Sequence, residues 1–189
     1  MEFDNTNFWD DIKDILACDE NIYGLKNDGT LISVKDNEFS SWNDIIAISA
    51  WENKVFGLKS NGSIVSNCGV TLDNWNDVVT IDVGESHLVG LRKNETVISE
   101  GVNCDEKCAI EQWRDIIAIS AGKDFTIGLK LDGTVVTTSA LLQPKIKDWA
   151  NIVVLISEKY GISVLTVDGY LLRTDEFDSE KINISNCNV

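Results

Sequence analysis

Five tryptophans recur along this chain at nearly constant spacing, and this repeat is the strongest constraint on its fold. They are Trp9, Trp42, Trp75, Trp113 and Trp149, which lie 33, 33, 38 and 36 residues apart. The second copy reads WNDIIAISAWENKVFGLKSNGSIVS and the fourth reads WRDIIAISAGKDFTIGLKLDGTVVT. Repeats of this length are typical of propellers and solenoids, because each unit can bury its apolar surface only against its neighbours.

Each copy carries the same residue types at the same distances from its Trp. Asp or Asn follows the Trp by two residues, and Ile or Val follows it by three. Leu follows by sixteen residues, at Leu25, Leu58, Leu91, Leu129 and Leu165, and Gly precedes this Leu in every copy but the last. Segments such as DIIAISA and TIGLK are short and rich in β-branched residues, which predicts strands. We expect the Gly to let neighbouring strands pack closely and the Asp to hydrogen-bond to local backbone.

Asn-Gly or Asp-Gly pairs separate the second predicted strand of a copy from the third. They are Asp28-Gly29, Asn61-Gly62, Asp132-Gly133 and Asp168-Gly169. Such pairs tolerate positive φ angles and predict type I′ hairpin turns. The third copy has Asn94-Glu95 instead, where either the Glu is strained or the turn is of another type. Because no segment has the length and caps of a helix, the sequence predicts an all-β chain of five short units with three to four strands each, which stack as propeller blades or as solenoid turns.

The charge of the chain disfavours some partners. Lys and Arg number 16 against 31 Asp and Glu, which gives a net charge of −15. We therefore expect no binding to nucleic acid or to membranes, because anionic surfaces would repel the protein. The single His, His87, excludes a multi-His metal centre. It is interpreted as a structural hydrogen-bonding residue, and neither a metal nor a cofactor is predicted.

The cysteines and the N-terminal residues bear on the compartment. The five cysteines, at positions 18, 68, 104, 108 and 187, cannot all pair within one chain. The start, MEFDNTNFWDD, has no basic region followed by an apolar run, which a secretory signal would have. Free thiols in a reducing cytoplasm fit this pattern. Cys104 and Cys108 form a lone C-x3-C, which is weak evidence for zinc.

The repeat pattern W-x-D-I-I-A-I-S-A-G-x-x-x-T-x-G-L-K-x-D-G-T-V resembles the repeat of the regulator-of-chromosome-condensation superfamily of β-propellers. Residues 101–113, GVNCDEKCAIEQW, are similar to the linker of its compact bacterial branch, to which the propeller-type β-lactamase inhibitors belong. The resemblance covers nearly the whole chain and implies an all-β propeller, here of five short blades with three to four strands each. It does not imply one function, because the superfamily includes exchange factors, inhibitors and other binding proteins.

Well-known members of this superfamily have seven blades, whereas this chain has five copies. The C-terminal ISNCNV is similar to the segment that precedes a Trp in the family linker, so the two chain ends look like halves of one junction. We expect residues 1–189 to form a single domain, a monomeric closed ring in which the segment near Cys187 lies beside the one before Trp9. The alternative is a ring that closes only through oligomerisation.

Function is sought where the copies differ, in the connections between their first and second strands. In a propeller these connections cluster on one face, and in the inhibitors that this chain resembles they present aromatic residues to the target. The resemblance makes Trp51, Phe125 and Tyr160 the predicted anchors. The other predicted partner-binding residues are polar: Glu20, Asn21, Glu52, Asn53, Lys54, Glu85, Lys123, Asp124 and Lys159. The structural alternative is that Trp51 caps its blade and that Phe125 packs where the family has His.

The leading hypothesis is a non-enzymatic binding or inhibitor protein, bacterial or phage in origin. Its acidic charge predicts a basic protein partner. The alternative is a small-ligand binder, such as a lectin or nucleotide sponge, although its loops would be expected to repeat their polar residues. An enzyme is disfavoured, because the sequence has no phosphate-binding loop, metal-ligand cluster or nucleophile motif.

Overall fold

The structure of this chain, a computed structural model, describes residues 9–18, 21–35, 38–70, 72–101, 110–175 and 179–183. These residues form sixteen β-strands in five sheets, each built from consecutive strands. Sheet 1 contains β1 (Ile12–Cys18), β2 (Asn21–Lys26) and β3 (Leu31–Ser33), and sheet 2 contains β4 (Ile45–Trp51), β5 (Lys54–Lys59) and β6 (Ile64–Ser66). Sheet 3 contains β7 (Val78–Val83), β8 (His87–Arg92) and β9 (Val97–Gly101), and sheet 4 contains β10 (Ile116–Ala121), β11 (Thr126–Lys130) and β12 (Val135–Thr137). Sheet 5 has four strands, β13 (Ile152–Ser157), β14 (Gly161–Thr166), β15 (Tyr170–Asp175) and β16 (Ser179–Asn183). The predicted all-β fold of three- to four-stranded units is confirmed.

Among the described residues, two short helices lie between the strands. One is a 3-10 helix, Glu38–Ser41, and the other is α1 (Gln143–Ile146), which has Pro144 in its first turn. The sequence predicts neither, because four residues are too few to show helical periodicity or caps. In the part of the chain that the structure describes, no helix has the length and apolarity needed to cross a membrane.

The chain divides into two compact units, Met1–Val79 and Thr80–Val189. Unit 1 contains sheets 1 and 2. Unit 2 contains sheets 4 and 5 and all but the first residues of sheet 3. The segments that would close the predicted ring, residues 1–8 and 184–189, lie outside the described residues.

The repeat Trp lies on the Gly that precedes the repeat Leu. A Cβ atom added to Gly57 would lie 2.9 Å from Cζ3 of Trp42, and one added to Gly128 would lie 2.9 Å from Cζ3 of Trp113. Both distances are too short for real atoms, so the Gly makes room for the indole ring of its own copy. The sequence analysis expected this Gly to let neighbouring strands pack closely. The structure shows instead that it makes room for the indole ring.

Each sheet consequently has two different apolar faces, which we call the Trp face and the Leu face. The Trp face carries the repeat Trp and Ile, and the Leu face carries the repeat Leu. In unit 1 the Trp face of sheet 2 covers the Leu face of sheet 1, in a core of Tyr23, Leu25, Leu31, Phe39, Trp42, Ile45 and Val55. Phe39 makes edge contacts with the rings of Tyr23 and Trp42, at centroid distances of 5.5 and 4.9 Å.

Unit 2 repeats this packing twice. The Trp face of sheet 4 covers the Leu face of sheet 3, in a core of Val89, Leu91, Val97, Ile110, Trp113, Ile116, Ile119 and Ala121. The Trp face of sheet 5 covers the Leu face of sheet 4, in a core of Phe125, Ile127, Leu129, Val135, Leu142, Ile146, Ile152, Ile162 and Val164. Burial of apolar surface between successive sheets is thus the main source of stability within each unit.

The Asp-Gly and Asn-Gly hairpin turns are not of type I′, which corrects the sequence prediction. Gly29 N–H donates to the Lys26 carbonyl and Lys26 N–H donates to the Thr30 carbonyl, both at 3.0 Å, and Gly29 has a φ of 83°. Asp28 is not among the positive-φ residues. This is a type I turn followed by a left-handed Gly. The Asp is favoured because its carboxylate accepts hydrogen bonds from Thr30 N–H and Oγ, and these bonds lower the pKa of Asp28.

The Asp or Asn two residues after each Trp also has a left-handed backbone. The φ angles of Asp11, Asp44, Asp77, Asp115 and Asn151 lie between 55° and 61°. Asp and Asn tolerate this region better than other residues with a side chain. The expected side-chain bond to local backbone is therefore not the main reason for this repeat position. The left-handed backbone of the Asp directs its carbonyl oxygen toward the hairpin of the same copy. In the second copy, for example, Ser60 N–H donates to the Asp44 carbonyl at 2.9 Å.

The third copy forms the same turn with a residue that is poorly suited to it. Glu95 has a φ of 63°, and its N–H donates to the Arg92 carbonyl at 3.0 Å. Both possibilities raised by the sequence are observed, since the turn is not of type I′ and Glu95 has a left-handed backbone. We expect Glu95→Gly to raise the free energy of unfolding by about 1 kcal/mol, because Gly adopts this conformation without a steric cost. Urea denaturation of both proteins measures the change.

Gly62→Ala is the matched control for this turn. Gly62 has a φ of 83°, and an added Cβ would make only an ordinary contact at 3.4 Å, so the substitution tests φ alone. It should lower the free energy of unfolding by about 1 kcal/mol. A Glu95→Gly variant that is less stable than the wild type would show that the Glu95 side chain, and not its backbone conformation, decides stability here.

Candidate functional site

In unit 2 three variable loops lie side by side. They connect the first and second strands of sheets 3, 4 and 5 and span residues 84–87, 122–125 and 158–161. Lys123 N–H in the second loop donates to the Lys159 carbonyl in the third at 3.1 Å. The Lys123 ammonium lies 3.5 Å from the Glu85 carboxylate in the first loop. The predicted clustering of these connections is therefore observed for the three loops of this unit.

Tyr160 is the exposed aromatic residue of this loop surface. Its side chain is 47% exposed, and the ammonium groups of Lys123 and Lys159 each lie 5.5 Å from the ring centroid. Both distances are within the range of cation–π attraction. The pKa of Lys123 is raised above its ordinary value, mainly by the charge of Glu85 and then by Tyr160. The predicted residues Glu85, Lys123, Lys159 and Tyr160 thus form one cluster, and Asp124 is exposed beside it.

A polar network joins the strand ends that carry these loops. Ser120 Oγ donates to the Asp82 carboxylate at 3.0 Å, and Ala121 N–H donates to the same oxygen at 2.8 Å. Ser157 Oγ donates to the Ala121 carbonyl at 2.7 Å, and Ser157 N–H donates to Ser120 Oγ at 3.1 Å. The network links β7, β10 and β13 at the residues just before the loops. It therefore fixes the spacing of the three loops.

The sequence interpretation missed this network and a second fixed point. Glu158 accepts hydrogen bonds from Ser163 Oγ at 2.6 Å and from the Arg173 guanidinium at 2.5 Å, which holds the loop of Tyr160 from its base. The sequence does distinguish Asp82 from its counterparts, because it is the one acidic residue that lies seven positions after a repeat Trp. The pair Glu158–Arg173 had no such signal, since it depends on the register of β14 with β15.

Phe125 is not an exposed anchor, which corrects that prediction. Its side chain is only 6% exposed and lies in the core between sheets 4 and 5. The ring also packs on Gly122, where an added Cβ would lie 2.3 Å from Cζ. His87 occupies the matching position of sheet 3, where it is buried with Nε2 2.9 Å from Thr126 Oγ1. Both residues support the loops from beneath, as the structural interpretation predicted.

The predicted residues of unit 1 lie on two further loops. Cys18 Sγ donates to the Glu52 carbonyl at 3.3 Å, which brings the hairpins of sheets 1 and 2 together. Trp51 is half-buried at the end of β4, and Glu52 has a φ of 53°. Two other predicted residues form hydrogen bonds within their own sheets: the Asn21 side chain accepts one from Ser33 Oγ, and the Asn53 carbonyl accepts one from the Asn67 side chain. Lys54 is half-buried, and Glu20 lies outside the described residues.

The cysteines and possible metal ligands form no further site in the described chain. Cys68 is exposed, and Cys104, Cys108 and Cys187 lie outside the described residues. Within the ranges that the structure describes, no group of three or more His, Cys, Asp or Glu side chains is placed to hold a metal ion.

Comparison with solved structures identifies the class of fold. The ectodomain of the receptor kinase CR4 from Physcomitrella patens is 17% identical to this chain, with a TM-score of 0.70, over 87% of this chain and 51% of that one. The ectodomain of the Arabidopsis thaliana receptor kinase ACR4 is 16% identical, with a TM-score of 0.69, over 87% and 63% of the two chains. Yeast RCC1 (Prp20), solved with Kap60, is 14% identical, with a TM-score of 0.63, over 87% and 56%.

The five sheets are therefore blades of the β-propeller class. More narrowly, the chain has the fold of RCC1-like propellers, which confirms the fold implied by the repeat. It spans about half to two thirds of the length of these structures. No protein-family model matches the sequence, and no curated protein sequence matches it.

Two aromatic substitutions separate scaffold from surface. We expect Phe125→Ala to lower the free energy of unfolding by about 3–5 kcal/mol, because it leaves a cavity in a well-packed core. Tyr160→Ala should lower it by less than about 0.5 kcal/mol, since the ring is half exposed on a loop. Denaturant unfolding measures both. Equal losses for the two variants would contradict the assignment of Phe125 to the core and Tyr160 to the surface.

Proposed function

We propose that this chain is a non-enzymatic binding protein that holds a protein partner with the loop surface formed by residues 84–87, 122–125 and 158–161. The observation that carries the proposal is the position of Tyr160. Its aromatic ring is half exposed on the loop of sheet 5, with two ammonium groups each 5.5 Å from the ring centroid. Tyr on a preformed surface is among the commonest residues that dominate binding energy.

The rigidity of the loop surface supports binding over a purely structural role. Each loop begins at a strand end that is fixed by the Asp82–Ser120–Ser157 network. The loops are also joined directly, through Lys123. A surface that is already ordered loses little conformational entropy when a partner binds, so more of the contact energy remains as affinity. Loops on a rigid scaffold are also where binding residues are commonly found.

The charges favour a basic partner that places a hydrogen-bond acceptor beside Tyr160. The chain has a net charge of −15, which attracts a basic protein at long range. At the anchor itself Glu85 neutralises Lys123, while Lys159 is exposed beside the ring. A carbonyl or carboxylate of the partner can therefore bind Lys159 while an apolar group covers Tyr160.

Proteins with a similar fold support the class of partner. Yeast RCC1 has been solved with Kap60, and a study of Prp20p from Saccharomyces cerevisiae describes its binding to Gsp1p and histones. Inhibition of an enzyme and a bacterial or phage origin are narrower proposals that follow the sequence resemblance, and an intracellular site of action is one that follows the odd number of cysteines. The Trp51 loop of unit 1 is proposed as a second contact, because Trp51 retains exposed surface.

The test begins with the identification of a partner by affinity capture from the native host, followed by titration with the purified partner. We expect Tyr160→Ala to weaken binding by about 2 kcal/mol, or roughly 30-fold in Kd, as a central aromatic residue does. Tyr160→Phe should retain most of the affinity, because it keeps the exposed ring beside the two ammonium groups. Affinity should also fall as salt concentration rises, since salt screens exposed charges.

Val167→Ala is the matched control for the titration. Val167 is exposed in the turn between β14 and β15 and belongs to none of the three loops. It should bind as the wild type does. If Tyr160→Ala also binds as the wild type does at every salt concentration, the loop surface of unit 2 is not the binding site.

A further inference from the structure

The Lys123 side chain contacts both of the loops that neighbour its own in unit 2. Its ammonium lies 3.5 Å from the Glu85 carboxylate in the first loop and 5.5 Å from the ring centroid of Tyr160 in the third. Carboxylates and aromatic rings both attract cations. Glu85 and Tyr160 together therefore have the chemistry of a cation site, and the chain's own lysine occupies it.

The pKa of Lys123 agrees with this interpretation of the cation site. It is raised above its ordinary value, and the charge of Glu85 is the largest cause. A lysine pKa rises where the surroundings stabilise the protonated form over the neutral one. The same attraction acts on any ammonium or guanidinium group that takes the place of Lys123. The position is thus favourable for a cation whichever molecule supplies it.

The two sides of the cation site are held by contacts that do not involve the Lys123 side chain. The first loop lies directly on the second, because a Cβ atom added to Gly84 would be 2.2 Å from the Gly122 carbonyl oxygen. The second loop is joined to the third by the 3.1 Å hydrogen bond from Lys123 N–H to the Lys159 carbonyl. The polar network beneath the loops adds further links. Truncation of the Lys123 side chain therefore leaves the carboxylate and the ring in place.

Lys123 is a weakly held occupant of the cation site. The side chains of Lys123 and Glu85 are 28% and 38% exposed, and ion pairs with this much exposure contribute little free energy, because water and salt screen them. An ammonium also meets the carboxylate as a point charge. The planar guanidinium of an arginine can donate two parallel hydrogen bonds to a carboxylate and can stack on an aromatic ring. An arginine from another molecule is therefore a stronger ligand for these two groups than Lys123.

We propose that the partner inserts an arginine side chain at the cation site and displaces the Lys123 ammonium from Glu85 and Tyr160. This inference rests on the proposed function, because it takes the same loop surface and specifies the group that the partner presents. The net charge of −15 attracts a basic protein, and the exposed Lys159 beside the ring can bind a main-chain carbonyl next to the arginine. Lys123 then acts as an internal competitor, which favours arginine over weaker cations.

The first measurement determines whether Lys123 occupies the cation site in solution. The pKa of the Lys123 ammonium is measured by NMR titration of its side chain in the wild type and in Glu85→Gln. We expect a lower pKa in the variant, because the substitution removes the negative charge that favours the protonated form. Equal pKa values would overturn the proposal, since Glu85 would then not hold the ammonium.

The second measurement uses a defined probe, the peptide acetyl-Gly-Arg-Gly-amide, and follows the NMR signals of the Tyr160 ring during the titration. We expect Lys123→Ala to bind this peptide about fivefold more tightly than the wild type, because the peptide no longer competes with an internal ammonium. The same peptide with citrulline, an uncharged analogue of arginine, should bind to neither protein. If Lys123→Ala binds the arginine peptide no more tightly than the wild type, or binds both peptides equally, the proposal is wrong.

Two further variants distinguish the cation site from a general change of charge. Lys147→Ala removes one positive charge at an exposed residue outside the three loops and should bind the peptide as the wild type does. The double variant Lys123→Ala/Glu85→Gln should lose the gain in affinity, because it lacks the carboxylate. An equal gain in Lys147→Ala, or a gain that persists in the double variant, would overturn the proposal. Lys123→Gln, which keeps part of the side chain without its charge, replaces Lys123→Ala if circular dichroism shows that the latter is unfolded.

Failure of this proposal is distinguishable from failure of the proposed function. The peptide titration needs no protein partner, so a negative result there leaves the Tyr160→Ala test of the loop surface intact. With a purified partner, Lys123→Ala should bind about fivefold more tightly than the wild type, whereas Tyr160→Ala should bind less tightly. If affinity falls in Tyr160→Ala but does not rise in Lys123→Ala, the loop surface is the binding site and the arginine proposal is wrong.

Discussion

The packing of a Trp face on a Leu face is the interaction on which the rest of this structure depends. A three-stranded sheet that is apolar on both sides cannot bury those sides by itself, so it must pack against its neighbours. The repeat solves this by making the two sides different. The indole of each repeat Trp lies on a Gly and forms one side of the sheet, while the repeat Leu forms the other. Each core in the described chain is one Trp face on one Leu face, so the order of the sheets follows from the repeat.

The sequence predicts this scaffold well because repetition amplifies weak signals. The strands, the five units and the RCC1-like fold were all predicted from positions that recur. What it predicted wrongly depends on three-dimensional detail. The Asp28-Gly29 pair predicts a type I′ turn. Asp28 does not adopt the positive φ that this turn needs, and its carboxylate instead accepts hydrogen bonds from Thr30. Phe125 is predicted to be an anchor because the copies differ at its loop, yet its ring packs on Gly122 and is buried. Variation among copies therefore does not by itself indicate exposure.

The candidate site uses the scaffold differently from the cores. The loops vary in sequence, but the strand ends beneath them are fixed by Asp82, Ser120 and Ser157, which act across three sheets. The sequence placed Lys123 and Tyr160 on neighbouring loops because the topology of a propeller does so. It could not show that both lysines flank the ring, since side-chain positions depend on the loop conformation. The resulting surface is held by hydrogen bonds beneath its loops and carries charged side chains around the exposed ring of Tyr160, which is suited to binding.

A double-mutant cycle tests the packing rule most directly. Leu91 on the Leu face of sheet 3 and Ile116 on the Trp face of sheet 4 share one core, whereas Ile152 belongs to the next core. The account predicts that Leu91→Ala and Ile116→Ala are coupled by about 0.5–3 kcal/mol in unfolding free energy, as residues in contact are. Leu91→Ala and Ile152→Ala should be additive within about 0.5 kcal/mol. Additive effects in the first pair, or equal coupling in both, would contradict the pairing of a Leu face with the following Trp face.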